Sequence, residues 1–97
     1  MSVYIIAEFQ IHDRSEYNKY DAGFMDVFEK FDGQLLSVDE NPAILEGDWV
    51  STRSVLIEFP SEDSAMAWLN SDGYKAIVGH RLAGSTGRAR LVKSFAS

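Results

Sequence analysis

Val3, Ile5, Ala7, Phe9 and Ile11 alternate with Tyr4, Ile6, Glu8 and Gln10 at the start of the chain. A period of two puts the two sets on opposite faces of a strand, and the strongly apolar first set predicts a central one. The period then changes. In Asp13-Arg14-Ser15-Glu16 the first carboxylate can accept from the amides of a coming turn while Glu16 reaches back, the arrangement of a capping box. Behind it Tyr17, Tyr20, Phe24, Val27, Phe28 and Phe31 recur at steps of three and four, the spacing of a helix with one aromatic stripe. That helix is predicted to end at Asp32-Gly33, where glycine accepts a left-handed conformation.

Gln34 to Glu40 reads as a second strand of weaker alternation, broken by Asn41-Pro42. Ala43 to Thr52, with Glu46-Gly47-Asp48-Trp49 inside it, is too polar and glycine-punctuated for a core strand and predicts a protruding hairpin arm. Arg53, Val55, Ile57 and Phe59 then alternate with Ser54, Leu56 and Glu58 in a third strand that Pro60 stops. Ser61 can cap a short helix carrying Ala65, Trp68 and Leu69, and Ser71 another carrying Tyr74, Ile77 and Leu82. Gly84 to Gly87 reads as a flexible turn and Arg88 to Phe95 as a last strand.

With the two short helices taken together, the order is βαββαβ: an α+β, ferredoxin-like antiparallel sheet with its helices on one face, in a single domain over residues 1–97. Val3, Ile5, Phe9, Val55, Ile57 and Phe59 should face the helices. The other face, bearing Tyr4, Ile6, Glu8, Gln10, Leu56 and Glu58, is half apolar and open. An apolar patch of that kind is expected to be covered by a second copy of the chain, in a homodimer joined through the open sheet faces.

Composition narrows the function classes. The 97 residues are 45% hydrophobic and 25% charged, the balance of a folded domain rather than a disordered one. There is no cysteine, which removes thiol chemistry and cysteine-based zinc sites. Nine basic against fifteen acidic side chains leave a net charge of −6, and non-specific nucleic-acid binding would need a basic face instead. The first eleven residues lack a basic leader, carry Glu8 and are too short to span a bilayer, so a cytoplasmic location and no membrane partner are expected. Gly84-Ser85-Thr86-Gly87 lacks the lysine of a phosphate cradle, and His12 and His80 show no metal-ligand spacing; neither cofactor nor metal is expected.

Glu46-Gly47-Asp48-Trp49, then Val55-Leu56-Ile57-Glu58-Phe59-Pro60-Ser61, then Ala65, Trp68, Ser71, Tyr74, Ile77 and Arg81 resemble, in order and spacing, the domain of unknown function 1330 family. The Tyr4 to Glu8 strand and the Asp13, Tyr17, Tyr20 spacing are similar as well, so the resemblance spans nearly the whole chain. One departure is Arg14, where the family often has proline; since proline merely suits the first helical position, the match is little affected. The resemblance implies the dimeric α+β barrel, two ferredoxin-like subunits joined through their sheets. It implies no reaction, and the cofactor-independent monooxygenases, lactone isomerases and haem enzymes of similar fold do not lend theirs by fold alone.

Candidate chemistry therefore comes from individual residues. Glu8 and Glu58 share a sheet face on neighbouring strands, where burial and mutual repulsion would make an acid/base pair; ion pairing across the dimer is the plainer role. Glu58, His80 and Arg81 are the catalytic candidates: histidine as proton shuttle, arginine as a fork for a carboxylate or enolate oxygen. The plainer roles are a surface histidine and a helix-end cation that caps carbonyls or bridges Glu58. Tyr17, Tyr20, Trp49, Trp68 and Tyr74 form an aromatic set able to line a small-molecule pocket, although Trp68 and Tyr74 also suit a core and Trp49 an anchor on the partner subunit. The resulting expectation is a small-molecule binder with cofactor-independent proton-transfer chemistry beside a carbonyl, the competing one a non-catalytic dimeric module.

Overall fold

The computed structural model describes residues 2–95. Its elements follow the order β1 (Val3–Ile11), α1 (Arg14–Phe28), β2 (Gln34–Asp39), β3 (Arg53–Phe59), α2 (Glu62–Leu69), α3 (Asp72–Gly84) and β4 (Ser85–Lys93). The four strands make one antiparallel sheet in the order β2-β3-β1-β4, with β3 and β1 at its centre. This is the ferredoxin-like α+β arrangement the alternation predicts.

Three side-chain caps set the helix starts. Asp13 accepts from the Glu16 amide, Ser61 from the Ser64 amide and Ser71 from the Tyr74 amide, each relieving an amide that the first turn leaves unpaired. The reciprocal half of the capping box does not form, because the Glu16 carboxylate turns instead to His80 and Lys19. Helix α1 also stops at Phe28, earlier than the aromatic stripe suggests, and Phe31 packs on the core from the turn that follows. Gly33 is not left-handed: among the described residues only Gly47, in the Glu46 to Trp49 segment, has a positive φ, of 89°. Gly33 serves by being small, since a Cβ there would lie 2.6 Å from the Phe28 ring and 2.7 Å from that of Phe59.

The core lies between the helices and one sheet face. Val3, Ile5, Ala7 and Phe9 of β1 and Val55, Ile57 and Phe59 of β3 point into it, as the alternation requires. An aromatic cluster fills the space above them: Trp68 lies within 4.7–5.8 Å of Tyr74, Phe28, Phe59 and Phe24, centroid to centroid. Phe59 is fully buried, which is worth about 2 kcal/mol for its ring alone.

Three segments differ from the sequence expectation. The weak alternation of β2 has a cause: the ladder to β3 slips between Leu35 and Ser37, so no single period fits the strand. The segment 40–52 forms no strand pair; it is an irregular arm that rejoins the sheet where the Thr52 amide donates to the Phe9 carbonyl. No turn occupies Gly84 to Gly87, because α3 runs to Gly84 and β4 begins at Ser85. The Gly84 carbonyl accepts the His12 and Asp13 amides, so the end of α3 is fastened to the start of α1. Leu82 does not join the buried stripe of α3 and is 64% exposed, whereas Ile77 and Val78 pack on the core.

Candidate functional site

Between the sheet and the helices the aromatic cluster leaves a cavity of about 420 Å³, within the usual range for small-molecule sites. Tyr17, Tyr20 and Phe24 of α1 wall one side, Trp68 of α2 and Tyr74 of α3 another, and Ile5, Ala7 and Val55 form the floor. Met25, Leu35 and Val38, all partly exposed, also line it. Four of the five aromatic residues singled out from the sequence thus converge here. Trp49 does not.

The side chains of two arginines and one aspartate add charge to this apolar pocket; the third arginine along the lining, Arg90, stands opposite Ile6 on the open-face side of β4. Arg53 opens β3 at an inward position, opposite Phe9, and its side chain is 12% exposed. Its Nη2 donates to Asp21 and its Nη1 to Glu40, each at 3.1 Å, while the guanidinium lies 5.5 Å from the Tyr17 ring centroid. Arg81 sits seven residues after Tyr74, two turns along the same helix face, and its Nη2 donates to the Tyr74 hydroxyl at 3.3 Å. The rings of Phe9 and Tyr20 lie 5.1 and 5.7 Å from its guanidinium carbon. Burial pushes the phenols of Tyr17 and Tyr20 to higher pKa, Tyr20 far more strongly, so both stay protonated at neutral pH. They can donate hydrogen bonds to a ligand oxygen and are poor bases.

The three catalytic candidates do not meet. Glu58 pairs in register with Tyr4 and Gln34 and lies on the open sheet face, across the sheet from Arg81, so no bridge joins them. His80 lies outside the cavity lining, where its Nδ1 is 2.6 Å from Oε2 of Glu16 on α1. Only Arg81 lines the cavity. Nor do Glu8 and Glu58 form a pair: Glu8 stands opposite Ser54, four residues along the ladder from Glu58. Glu8 instead accepts from Ser51 Oγ at 2.6 Å and from Arg88 Nη2 at 3.5 Å.

Trp49 belongs to a second depression, of about 430 Å³, between the arm and the edge of the open face. Its ring lies 4.2 Å from the Arg88 guanidinium, a cation–π contact that closes an Arg88, Glu8, Ser51 and Trp49 cluster. Sequence reasoning passed over Arg53, Asp21 and Arg88. For Arg53 a signal was present: it is the charged member of an otherwise apolar alternating set, which places a guanidinium on the core side. Among the described residues no cluster of three or more histidine or carboxylate side chains is placed to hold a metal ion. No helix among them is long and apolar enough to cross a membrane.

An antiparallel βαββαβ sheet with a partly open aromatic cavity under its helices places the chain among ferredoxin-like α+β proteins. More specifically, the family model described as Domain of unknown function (DUF1330) matches residues 2–95, and the chain belongs to that family. No curated protein matches it. Among solved structures, a protein of unknown function from Rhodopseudomonas palustris superposes with a TM-score of 0.84 at 17% identity, over 99% of this chain and 84% of that one. SnoaB, a cofactor-independent oxygenase from Streptomyces nogalater, gives 0.70 at 16% identity, over 99% and 95%. A dimeric ferredoxin-like protein of unknown function from Thermobifida fusca gives 0.69 at 13% identity, over 97% and 92%. At these identities the likeness is one of fold.

Proposed function

We propose that this protein binds a small, largely apolar organic molecule in the cavity between sheet and helices, and that it does so as a cytoplasmic homodimer. The observation that carries the reading is the cavity itself. A core of this size normally closes to near-crystalline density, yet here six aromatic side chains surround a space large enough for a ligand. The chemistry it favours is cofactor-independent proton transfer beside a carbonyl: Arg81 stabilises the oxyanion and the neutral tyrosines donate hydrogen bonds. Asp21 is the carboxylate within the lining, and its bond to Arg53 fixes its position. The fold shared with SnoaB, itself a cofactor-independent oxygenase, supports this class of chemistry without specifying a substrate.

The dimer follows from the open face. Tyr4, Ile6, Leu56 and Val92 expose apolar surface there, and Glu8, Glu58, Arg88 and Arg90 supply both signs of charge, a mixture that can complement its own copy. The similar Thermobifida fusca protein is dimeric.

A thermal-shift screen against metabolites tests the binding reading, since a ligand of the folded state raises its melting temperature by mass action. Ala89 lines the cavity from β4, and Ala89→Leu would fill part of it from a strand position that tolerates a larger side chain. Hits are expected to stabilise the wild type and to lose that effect in Ala89→Leu. A complete absence of hits, or hits indifferent to the filling, favours the non-catalytic dimeric module.

A further inference from the structure

The cavity's charge balance says what kind of ligand it takes. Three buried side-chain nitrogens among the described residues have no hydrogen-bond partner: Nε of Arg53, Nε1 of Trp68 and Nε of Arg81. All three are N–H donors, and all three residues line this one cavity. Unpaired buried polar atoms are uncommon in native proteins, and the gathering of all three around one cavity marks its lining as rich in unanswered donors. Trp68 is only 3% exposed, so its indole N–H has little water to fall back on.

The formal charges point the same way. Arg53 is neutralised by Asp21 and Glu40, both committed to it. Arg81 makes no ion pair among the described residues; its Nη2 bonds to a neutral phenol and its buried Nε has no partner. Arg90, which also borders the lining, adds nothing to this balance: it stands opposite Ile6 in register, and its side chain belongs to the open face. A guanidinium held between aromatic rings without a carboxylate is costly unless an anion completes it. The unpaired positive charge is also local, because the chain as a whole carries −6.

We propose that the ligand is a planar, conjugated monoanion whose carboxylate or enolate oxygens dock on Arg81 while its apolar body lies among Tyr17, Tyr20, Trp68 and Tyr74. This rests on the cavity being the binding site and adds the charge and shape of its occupant. The anion accepts from Arg81 in a charge-assisted bond, and its acceptor-rich end answers the unpartnered N–H donors of the lining. Arg53 has a different part: tied to two carboxylates, it fixes the wall beside Tyr17 and does not hold the ligand.

Isothermal titration of the full chain at about pH 7, where carboxylic acids are ionised, separates these statements. The probes are benzoate, naphthoate and anthracene carboxylate, each paired with the neutral alcohol of the same ring. In the wild type at least one acid is expected to bind about tenfold or more tightly than its alcohol, the difference a charge-assisted bond supplies. Arg81→Met should bring that acid down to the level of its alcohol, and Arg81→Lys should keep part of the preference. Equal affinities for acid and alcohol in the wild type would overturn the anion claim while leaving the cavity as the site, a comparison that needs no variant to fold. A preference that survives in Arg81→Met would place the anion elsewhere and overturn it too. If no acid or alcohol binds, the cavity reading falls with it.

Discussion

A proton on Glu16 would disturb two contacts at once, its bonds to His80 Nδ1 and to Lys19 Nζ. Those bonds, the one to His80 foremost, hold the carboxyl below its ordinary value of 4.5. A depressed folded-state pKa means that the stabilisation is complete above the unfolded value and is lost as pH falls through the folded one. Glu16→Gln should therefore melt below the wild type near pH 7, and the gap should narrow as pH falls below 4.5 through the folded-state value; a series of thermal melts down the acid limb checks it. A gap that is constant across the range would show that the His80 contact is incidental. The same pair explains why His80 and Arg81 have different roles. Adjacent helical residues point about 100° apart, so only one of the two can face the cavity while the other reaches α1. Sequence adjacency suggested a shared site, and helix geometry divides it. Glu58 is separated from Arg81 by the equivalent rule for strands: it alternates with Ile57 and Phe59, which point towards the helices.

Helix α3 carries two glycines that make opposite demands. Gly79 has open space where a Cβ would go, whereas a Cβ on Gly84 would stand 2.8 Å from the Asp13 carbonyl oxygen and the Tyr17 amide nitrogen, backbone atoms of the α1 start. Alanine is the better helix former by about 1 kcal/mol, so Gly79→Ala should stabilise by roughly 0.5–1 kcal/mol. Gly84→Ala should destabilise by about 1–3 kcal/mol, because α1 must move to admit it. Denaturant unfolding of the two variants reads both signs, and matching signs would mean that α3 does not abut α1 as described. Gly84 also marks the limit of what the sequence conveys about elements. Local chemistry announces each helix start, at Asp13, Ser61 and Ser71, and alternation announces β1 and β3. A glycine between two elements reads as a turn, however, unless the close approach of another chain segment is known. The slip in β2 and the path of the arm are hidden for a related reason, since both are settled by pairing with distant residues.

For the whole molecule, the open face and the cavity lie on opposite sides of the sheet. Dimerisation and ligand binding are therefore separable. Ile6, 40% exposed at the centre of the open face, is the residue to test. Sedimentation at micromolar concentration should give the mass of two chains for the wild type and of one for Ile6→Lys, and a folded wild-type monomer would refute the dimer. The aromatic lining and Arg81 are legible in the sequence. That Arg53 and Asp21 join them is not, because Arg53 comes from the sheet and Asp21 from α1, and only the packing of the two layers brings them to one cavity.

The central claim is that the helix–sheet cavity, with Trp68 and Arg81 in its wall, takes up the ligand. Proton–nitrogen correlation spectra of isotope-labelled protein report on it directly, because the two tryptophans give two indole N–H signals and Arg81 contributes an Nε–H signal. Titration with naphthoate should move the Trp68 indole and Arg81 Nε–H signals together and leave the Trp49 indole in place. Movement of the Trp49 indole alone, or no movement in either tryptophan, would contradict the account.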